Sequence, residues 1–326
     1  MDTEPSWIST PKLAALTRWI TEAGLAGLGE TAILDGFCRR AVDAGLPLAR
    51  AGLIIDTLHP VYEGRVFRWR REAAPGETEQ LEYGPSNEGE IAESWRQSAF
   101  YWLLETGGST LRRRLHAGEP ADFPAIASQQ AEGMTDYLAL ITRFAAPGVI
   151  GEMDCAYSYW ATDRSDGFAA EHIEALNNQL PMLVLAVKCV SLSRIAGTLV
   201  ETYLGRDAGQ RVLGGLIRRG VAETINAVLW YSDLRGFTGI TDRIAPQEII
   251  ALLNDYAEAV ISSVYDNGGD VLKLIGDGTL AIFTADSTAE ACRCAVAAHK
   301  AMRRRVDAVN QSRAAAGLPA TEVYLG

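Results

Sequence analysis

The sequence predicts an α+β protein with an N-terminal antiparallel sheet flanked by helices, a helical coiled-coil connector, and a ferredoxin-like, split βαβ unit at the C-terminus. Three observations predict it. Runs rich in β-branched and aromatic residues recur between residues 51 and 162, an apolar stripe at three and four spacing leads to residue 203, and residues 226–326 read as strand, helix, strand, strand, helix, strand. A chain of 326 residues allows two domains, or one large one, and can bury a sizeable core. Its 48% hydrophobic and 22% charged residues exclude collagen-like, low-complexity and wholly disordered chains.

The elements follow in order. Leu13, Leu16 and Ile20, then Ile33, Phe37 and Ala41, predict two helices broken at Gly24–Gly29. Residues 51–58, 64–71, 134–144 and 151–162 read as strands bounded by Gly, Pro or Asp, and the polar stretch 73–90 reads as a loop. A helix starting near Asp166-Gly167 continues past Pro181 to about Tyr203. Its Leu185, Cys189, Leu192, Ala196, Leu199 and Tyr203 form the seam of a short coiled coil that pairs two copies; packing on its own domain is the alternative. Residues 204–223 read as a further helix, with Arg206, Arg211, Arg218 and Arg219 on a solvated face. These readings divide the chain into an α+β domain at 1–165, a connector at 166–205, a helical lead-in at 206–225 and a final domain at 226–326.

The final domain carries the chemistry. Residues 227–232 form a strand ending in Asp233, and a Gly-containing turn leads from Leu234 to Thr241. Pro246 opens a helix with Ile249, Leu252, Leu253, Tyr256, Val260 and Val264 on one face, closed by Asn267-Gly268-Gly269. Strands 271–275 and 279–283 are joined by Gly276-Asp277-Gly278, a tight hairpin with an acid at its tip. Ser287 and Glu290 make a capping box for a helix running to about Ala314, and Thr321 begins another strand. In a split βαβ sheet the first strand's end lies beside the central hairpin's tip. Asp233 and Asp277 then converge, and a divalent cation is the usual reason to tolerate facing carboxylates. Each acid alone has a plainer reading, since acids commonly end strands and Asp-Gly is a favoured turn pair.

At these residues the sequence resembles the class III adenylate and guanylate cyclases. Ser232-Asp233-Leu234-Arg235-Gly236-Phe237-Thr238 and Leu272-Lys273-Leu274-Ile275-Gly276-Asp277 are similar to that family's two metal-binding signatures. The resemblance implies that Asp233, Asp277 and the Leu234 carbonyl hold two Mg²⁺ or Mn²⁺ ions, which activate the ribose 3′-hydroxyl and hold the triphosphate. Backbone amides near Gly236, Phe237 and Thr238 would cradle phosphates. Lys273 matches the purine-reading position, where lysine favours adenine, so the substrate implied is ATP and the products are cyclic AMP and pyrophosphate. Family sites form between the two chains of a homodimer. The family's transition-state Asn and Arg lie beyond the strand at Thr321, so they are expected past Gly326, no catalytic residue of that kind is assigned here, and the chain as it stands is expected to be a largely inactive part of the enzyme.

The N-terminal domain resembles a GAF-type sensory domain, through its helix, strands and long exit helix and through Tyr157–Trp160 followed by Asp166-Gly167-Phe168. It carries six of the seven tryptophans, among them Trp69, Trp95, Trp102 and Trp160, which read as core or as the lining of a pocket for an unidentified small molecule. A sensory protein with a silent cyclase-like module, and a guanylate cyclase, are the competing readings. Intact Asp233, Asp277 and Lys273 disfavour the first, and Lys273 the second.

Charge and cysteines bound the setting. Thirty basic residues against 41 acidic ones give a formal net charge of -11, which argues against nucleic acid as a partner. Cys38, Cys155, Cys189, Cys292 and Cys294 are odd in number and scattered, which predicts buried structural thiols in a reducing compartment. The N-terminus lacks the pattern of a signal peptide, and the longest apolar run, 180–187, is too short to cross a bilayer; the expectation is a cytoplasmic protein with no membrane partner.

Overall fold

The computed structural model describes residues 8–84, 86, 89–144, 153–216 and 225–325. The chain forms two compact units, Met1–Ala196 and Gly197–Gly326.

The first unit is built on one antiparallel sheet. Its strands are β1 (Arg50–Asp56), β2 (Gly64–Arg70), β3 (Glu79–Tyr83), β4 (Thr110–Arg113), β5 (Asp136–Arg143) and β6 (Cys155–Thr162), in the order β3-β2-β1-β6-β5-β4. Helices α1 (Thr10–Leu25) and α2 (Glu30–Asp43) meet the predicted boundaries closely. Leu53, Phe67, Trp69 and Trp160 are buried with α2, where Phe37 meets Trp160 edge-on at 5.5 Å and the Trp69 indole N–H donates to Asp35 at 3.1 Å. On the other face, Tyr137, Ala139, Ile141 and Tyr157 pack beneath α4 (Ala99–Glu105) and α5 (Pro124–Ala131). Trp69 and Trp160 are therefore core, whereas Trp102 on α4 is 45% exposed.

The loop expected over 73–90 is only partly a loop. Glu79–Tyr83 forms edge strand β3 against β2, and α3 begins at Gly89 and runs to Arg96. The residues Glu79, Gln80 and Glu82 hide the strand in sequence, because an edge strand with exposed faces needs no apolar alternation.

Helix α6 spans Ala170–Leu204 without a break at Pro181. One stripe, including His172, Leu176, Leu183, Val187 and Ile195, is buried in the first unit. The expected seam is turned away from that core: Leu185, Cys189, Ala196 and Tyr203 are exposed, and Leu192 and Leu199 are half-buried. Cys189 and Cys292 are thus exposed rather than buried thiols, on the outer faces of their helices, whereas Cys38 and Cys155 are buried. The apolar run 180–187 understates this helix. By length and composition α6 is apolar enough to cross a membrane, with 33% of that window buried. Arg194 lies within it and pairs with buried Glu30 at 2.7 Å.

The second unit has the predicted split βαβ order. Strands β7 (Val228–Leu234), β8 (Gly269–Ile275), β9 (Gly278–Phe283) and β10 (Val323–Leu325) form an antiparallel sheet in the order β10-β7-β9-β8. Helices α9 (Pro246–Tyr265) and α10 (Thr288–Ala315) cover one face, and Trp230, Leu252, Tyr256, Val260, Ala281, Phe283, Ala298 and Met302 make the core. Ser287 caps α10 as expected, accepting the Glu290 N–H at 3.2 Å. The lead-in is shorter than expected within the described residues: α7 is Arg206–Leu213, and 217–224, with Arg218 and Arg219, lie outside them. Arg206 is more than a solvated charge, since its guanidinium lies 3.9 Å over the Tyr265 ring, while its backbone N–H donates to Asp270 at 3.0 Å. Gly205 before it has φ +79°, and a Cβ there would stand 2.2 Å from the Val271 carbonyl oxygen, so only glycine lets the chain pass.

Candidate metal and nucleotide site

Strand alternation aims the first acid. In β7, Trp230, Ser232 and Leu234 are buried on the helix side, and the intervening Tyr231 and Asp233 take the opposite face. The second acid is placed by the hairpin. Ile275 pairs with Gly278, leaving Gly276-Asp277 as a two-residue turn in which Gly276 has φ +65°. Ser232 pairs with Thr279, so the next residue along β7 reaches the hairpin tip. Gly278 contributes by having no side chain, since a Cβ there would lie 2.5 Å from the Tyr231 hydroxyl.

Asp233 and Asp277 do meet. The Asp233 carboxylate lies close enough to Asp277 to perturb it, and the Leu234 N–H donates to Asp233 Oδ1 at 3.1 Å. Burial pushes the Asp277 carboxyl above the ordinary carboxylate range, and the nearby, like-charged Asp233 pushes it the same way.

The other predicted positions surround this point unequally. Gly236, with φ +68°, caps the short helix α8 (Phe237–Thr241), so the Gly236-Phe237-Thr238 turn follows directly from Leu234. Lys273 is exposed on β8 opposite Leu280, just past an irregularity in the β8–β9 register. Sequence reading missed the part played by the last strand. Tyr324 pairs with Asp233, Arg235 binds Glu322 at 2.8 Å, and the Thr321 hydroxyl donates to the Arg235 carbonyl at 2.5 Å, all of which pin the turn after β7. Only the strand-like character of residues 321–325 signalled this.

The donor set suits a hard cation. Two carboxylates and a backbone carbonyl are all oxygen, the preference of Mg²⁺ and Mn²⁺. No group of three or more His, Cys, Asp or Glu side chains fit to hold a metal occurs among the described residues. A two-carboxylate set still fits Mg²⁺, which ordinarily keeps waters and takes further oxygens from substrate phosphates.

No protein-family profile matches the chain. Among curated proteins it is 30% identical over 110 residues to an adenylate cyclase of Anabaena cylindrica, covering 34% of this chain and 22% of that protein. It is 29% identical over 101 residues to adenylate cyclase 1 of Rhizobium meliloti, covering 29% of this chain and 15% of that one. The chain thus spans about a fifth of the length of these curated relatives. Among solved structures, the adenylyl cyclase CyaB of P. aeruginosa is 25% identical, with 31% of this chain and 53% of that chain covered at a TM-score of 0.30. A phycoerythrobilin-bound GAF domain from a cyanobacterial phytochrome is 12% identical, with 56% and 96% covered at a TM-score of 0.34. Motifs and curated relatives agree: over about a third of its length the chain is similar to class III adenylate cyclases.

Proposed function

We propose that the chain is the regulatory and metal-binding part of an adenylate cyclase that converts ATP to 3′,5′-cyclic AMP and pyrophosphate. The convergence of Asp233 and Asp277 carries this reading, because two like-charged carboxylates brought close together make a costly arrangement that metal binding relieves. Two Mg²⁺ or Mn²⁺ ions held there would acidify the ribose 3′-hydroxyl and neutralise the triphosphate. The chain's own residues do the rest: Asp233 and Asp277 orient the ions, the Leu234 carbonyl completes the oxygen set, and the Gly236-Phe237-Thr238 amides face the phosphates. Lys273 selects adenine.

The N-terminal unit is the sensor in this reading, and its small-molecule ligand acts through α6. The exposed seam supports a homodimer connector, because the stripe of Leu185, Cys189, Ala196 and Tyr203 is left open while a different stripe packs on the first unit. The net charge of -11 and the scattered cysteines support a cytoplasmic setting and no nucleic-acid partner.

The test is calorimetric titration of the chain with Mn²⁺ and then ATP. Binding that is lost in Asp233→Ala and in Asp277→Ala is expected; metal binding that survives both substitutions, or no binding at all, refutes the assignment and leaves a silent cyclase-like module.

A further inference from the structure

The face of the first unit's sheet beneath α3, α4 and α5 holds a cavity of about 970 Å³. That is at the upper end of small-molecule sites, which run to about 1,000 Å³. Two glycines level its floor. A Cβ on Gly52 would come within 2.0 Å of the Tyr159 ring, and one on Gly64 within 2.1 Å of the Tyr83 hydroxyl, so both rings lie flat over the strands. Tyr137 stacks on Tyr159 at 5.6 Å and 12°, and Trp95 meets Tyr157 edge-on at 5.3 Å. Broad ring faces of this kind suit a planar guest.

Charge is divided along the cavity. Arg50, Arg68 and Arg70 line one end, with Glu132 beside Arg50, and Asp56, Glu63 and Asp154 line the other. Arg50 and Asp56 open and close β1, so the ends stand about 20 Å apart at roughly 3.4 Å per residue. The carboxylates are held in place. Tyr83 donates its hydroxyl to Asp56, and Ser86 donates its N–H and hydroxyl to Glu63 at 2.5 and 2.6 Å. At the arginine end, Arg50 Nη1 donates to the Ala49 carbonyl at 3.1 Å and to Glu72 at 2.6 Å, and its Nε stands 3.6 Å from Glu132. Arg50 Nε and the nearby pocket atom Gln129 Oε1 are nevertheless buried without a hydrogen-bond partner among the described residues. The buried Arg50 Nε donor left unmet on the cavity wall is a group that an anionic ligand oxygen satisfies.

We infer that this cavity binds an elongated, planar aromatic molecule with an anionic oxygen at one end, taken by Arg50, and N–H donors at the other, taken by Asp56 and Glu63. The inference rests on the reading of the N-terminal unit as a sensor. It adds the ligand's chemical class, which the charge division and the level floor decide together.

The test uses the 326-residue chain and three azo dyes followed by their visible absorption. The probe is 4-(4-aminophenylazo)benzoate, compared with azobenzene-4-carboxylate, which lacks the amine, and 4-aminoazobenzene, which lacks the carboxylate. The two-ended dye is expected to bind about tenfold more tightly than either one-ended dye. Arg50→Gln is expected to erase the advantage of the carboxylate, Asp56→Asn that of the amine, and Ser94→Trp, which fills the cavity from α3, to weaken all three. Equal affinity for the three dyes, no binding, or a carboxylate advantage unchanged by Arg50→Gln overturns the proposal. Circular dichroism checks each variant, and should one fail to fold, the ranking of the dyes on the unaltered chain decides by itself. Dye binding that leaves the output of a cyclase carrying this chain unaltered counts against the sensor reading and upholds the ligand class.

Discussion

Replacing Asp277 with asparagine should make the metal-free chain more stable. The Asp233 carboxylate lies close enough to raise Asp277, and both are partly exposed. Two unit charges about 4 Å apart repel by about 1 kcal/mol in water and by about 4 kcal/mol at an effective dielectric of 20. Partial exposure favours the lower figure, so Asp277→Asn should gain about 1 kcal/mol, or about 3 to 5 °C in Tm for a unit of this size. The sign with pH follows from the direction of the shift. Asp277 is raised in the folded state, so folding is favoured by its proton at low pH, and that support is lost as pH rises through the folded-state value. The gain from Asp277→Asn should accordingly be full near neutral pH and vanish in acid. Mn²⁺ should reverse the order, since free ion at a hundred times its Kd stabilises the unaltered chain by about 2.7 kcal/mol and the variant far less. Thermal melts with EDTA and with Mn²⁺, across pH, measure both effects. A variant less stable than the parent in EDTA, or equally stabilised by Mn²⁺, would refute the reasoning.

Three further outcomes are expected. Glu30→Gln removes a buried carboxylate that holds Arg194 at 2.7 Å and Arg65 at 3.8 Å, and should cost the first unit about 3 kcal/mol in urea denaturation, as breaking a buried pair does. Leu185→Glu places a charge on the exposed seam of α6 and should raise the dimer Kd about tenfold or more in sedimentation velocity, whereas unchanged association would remove the connector from the interface. Lys273→Glu should shift nucleotide affinity from ATP toward GTP in competition binding with Mn²⁺, and an unaltered preference would take purine reading away from that position.

Much of the second unit was legible because its signals are local. The α9 face from Ile249 to Val264, the Gly276-Asp277 turn and the Ser287 cap each depend on residues a few positions apart. The meeting of Asp233 with Asp277 was also within reach, since strand alternation and hairpin geometry leave little freedom once the topology is assumed. The N-terminal unit was harder. Helices α3, α4 and α5 have 8, 7 and 8 residues, too few turns for a periodic pattern to stand out, and β3 is recognisable only through its pairing with β2.

The sequence by itself determined the α+β class, the order of elements in the second unit and which two acids its strands bring together, because periodicity and turn chemistry act over short stretches of chain. Tertiary structure decided which face of α6 is left open, how Thr321, Glu322 and Tyr324 pin the turn beside Asp233, and that Gly52 and Gly64 level a cavity floor beneath Tyr159 and Tyr83. Each of these depends on a neighbour many residues away. A glycine announces that space is needed, but only the packed fold names the ring that fills it.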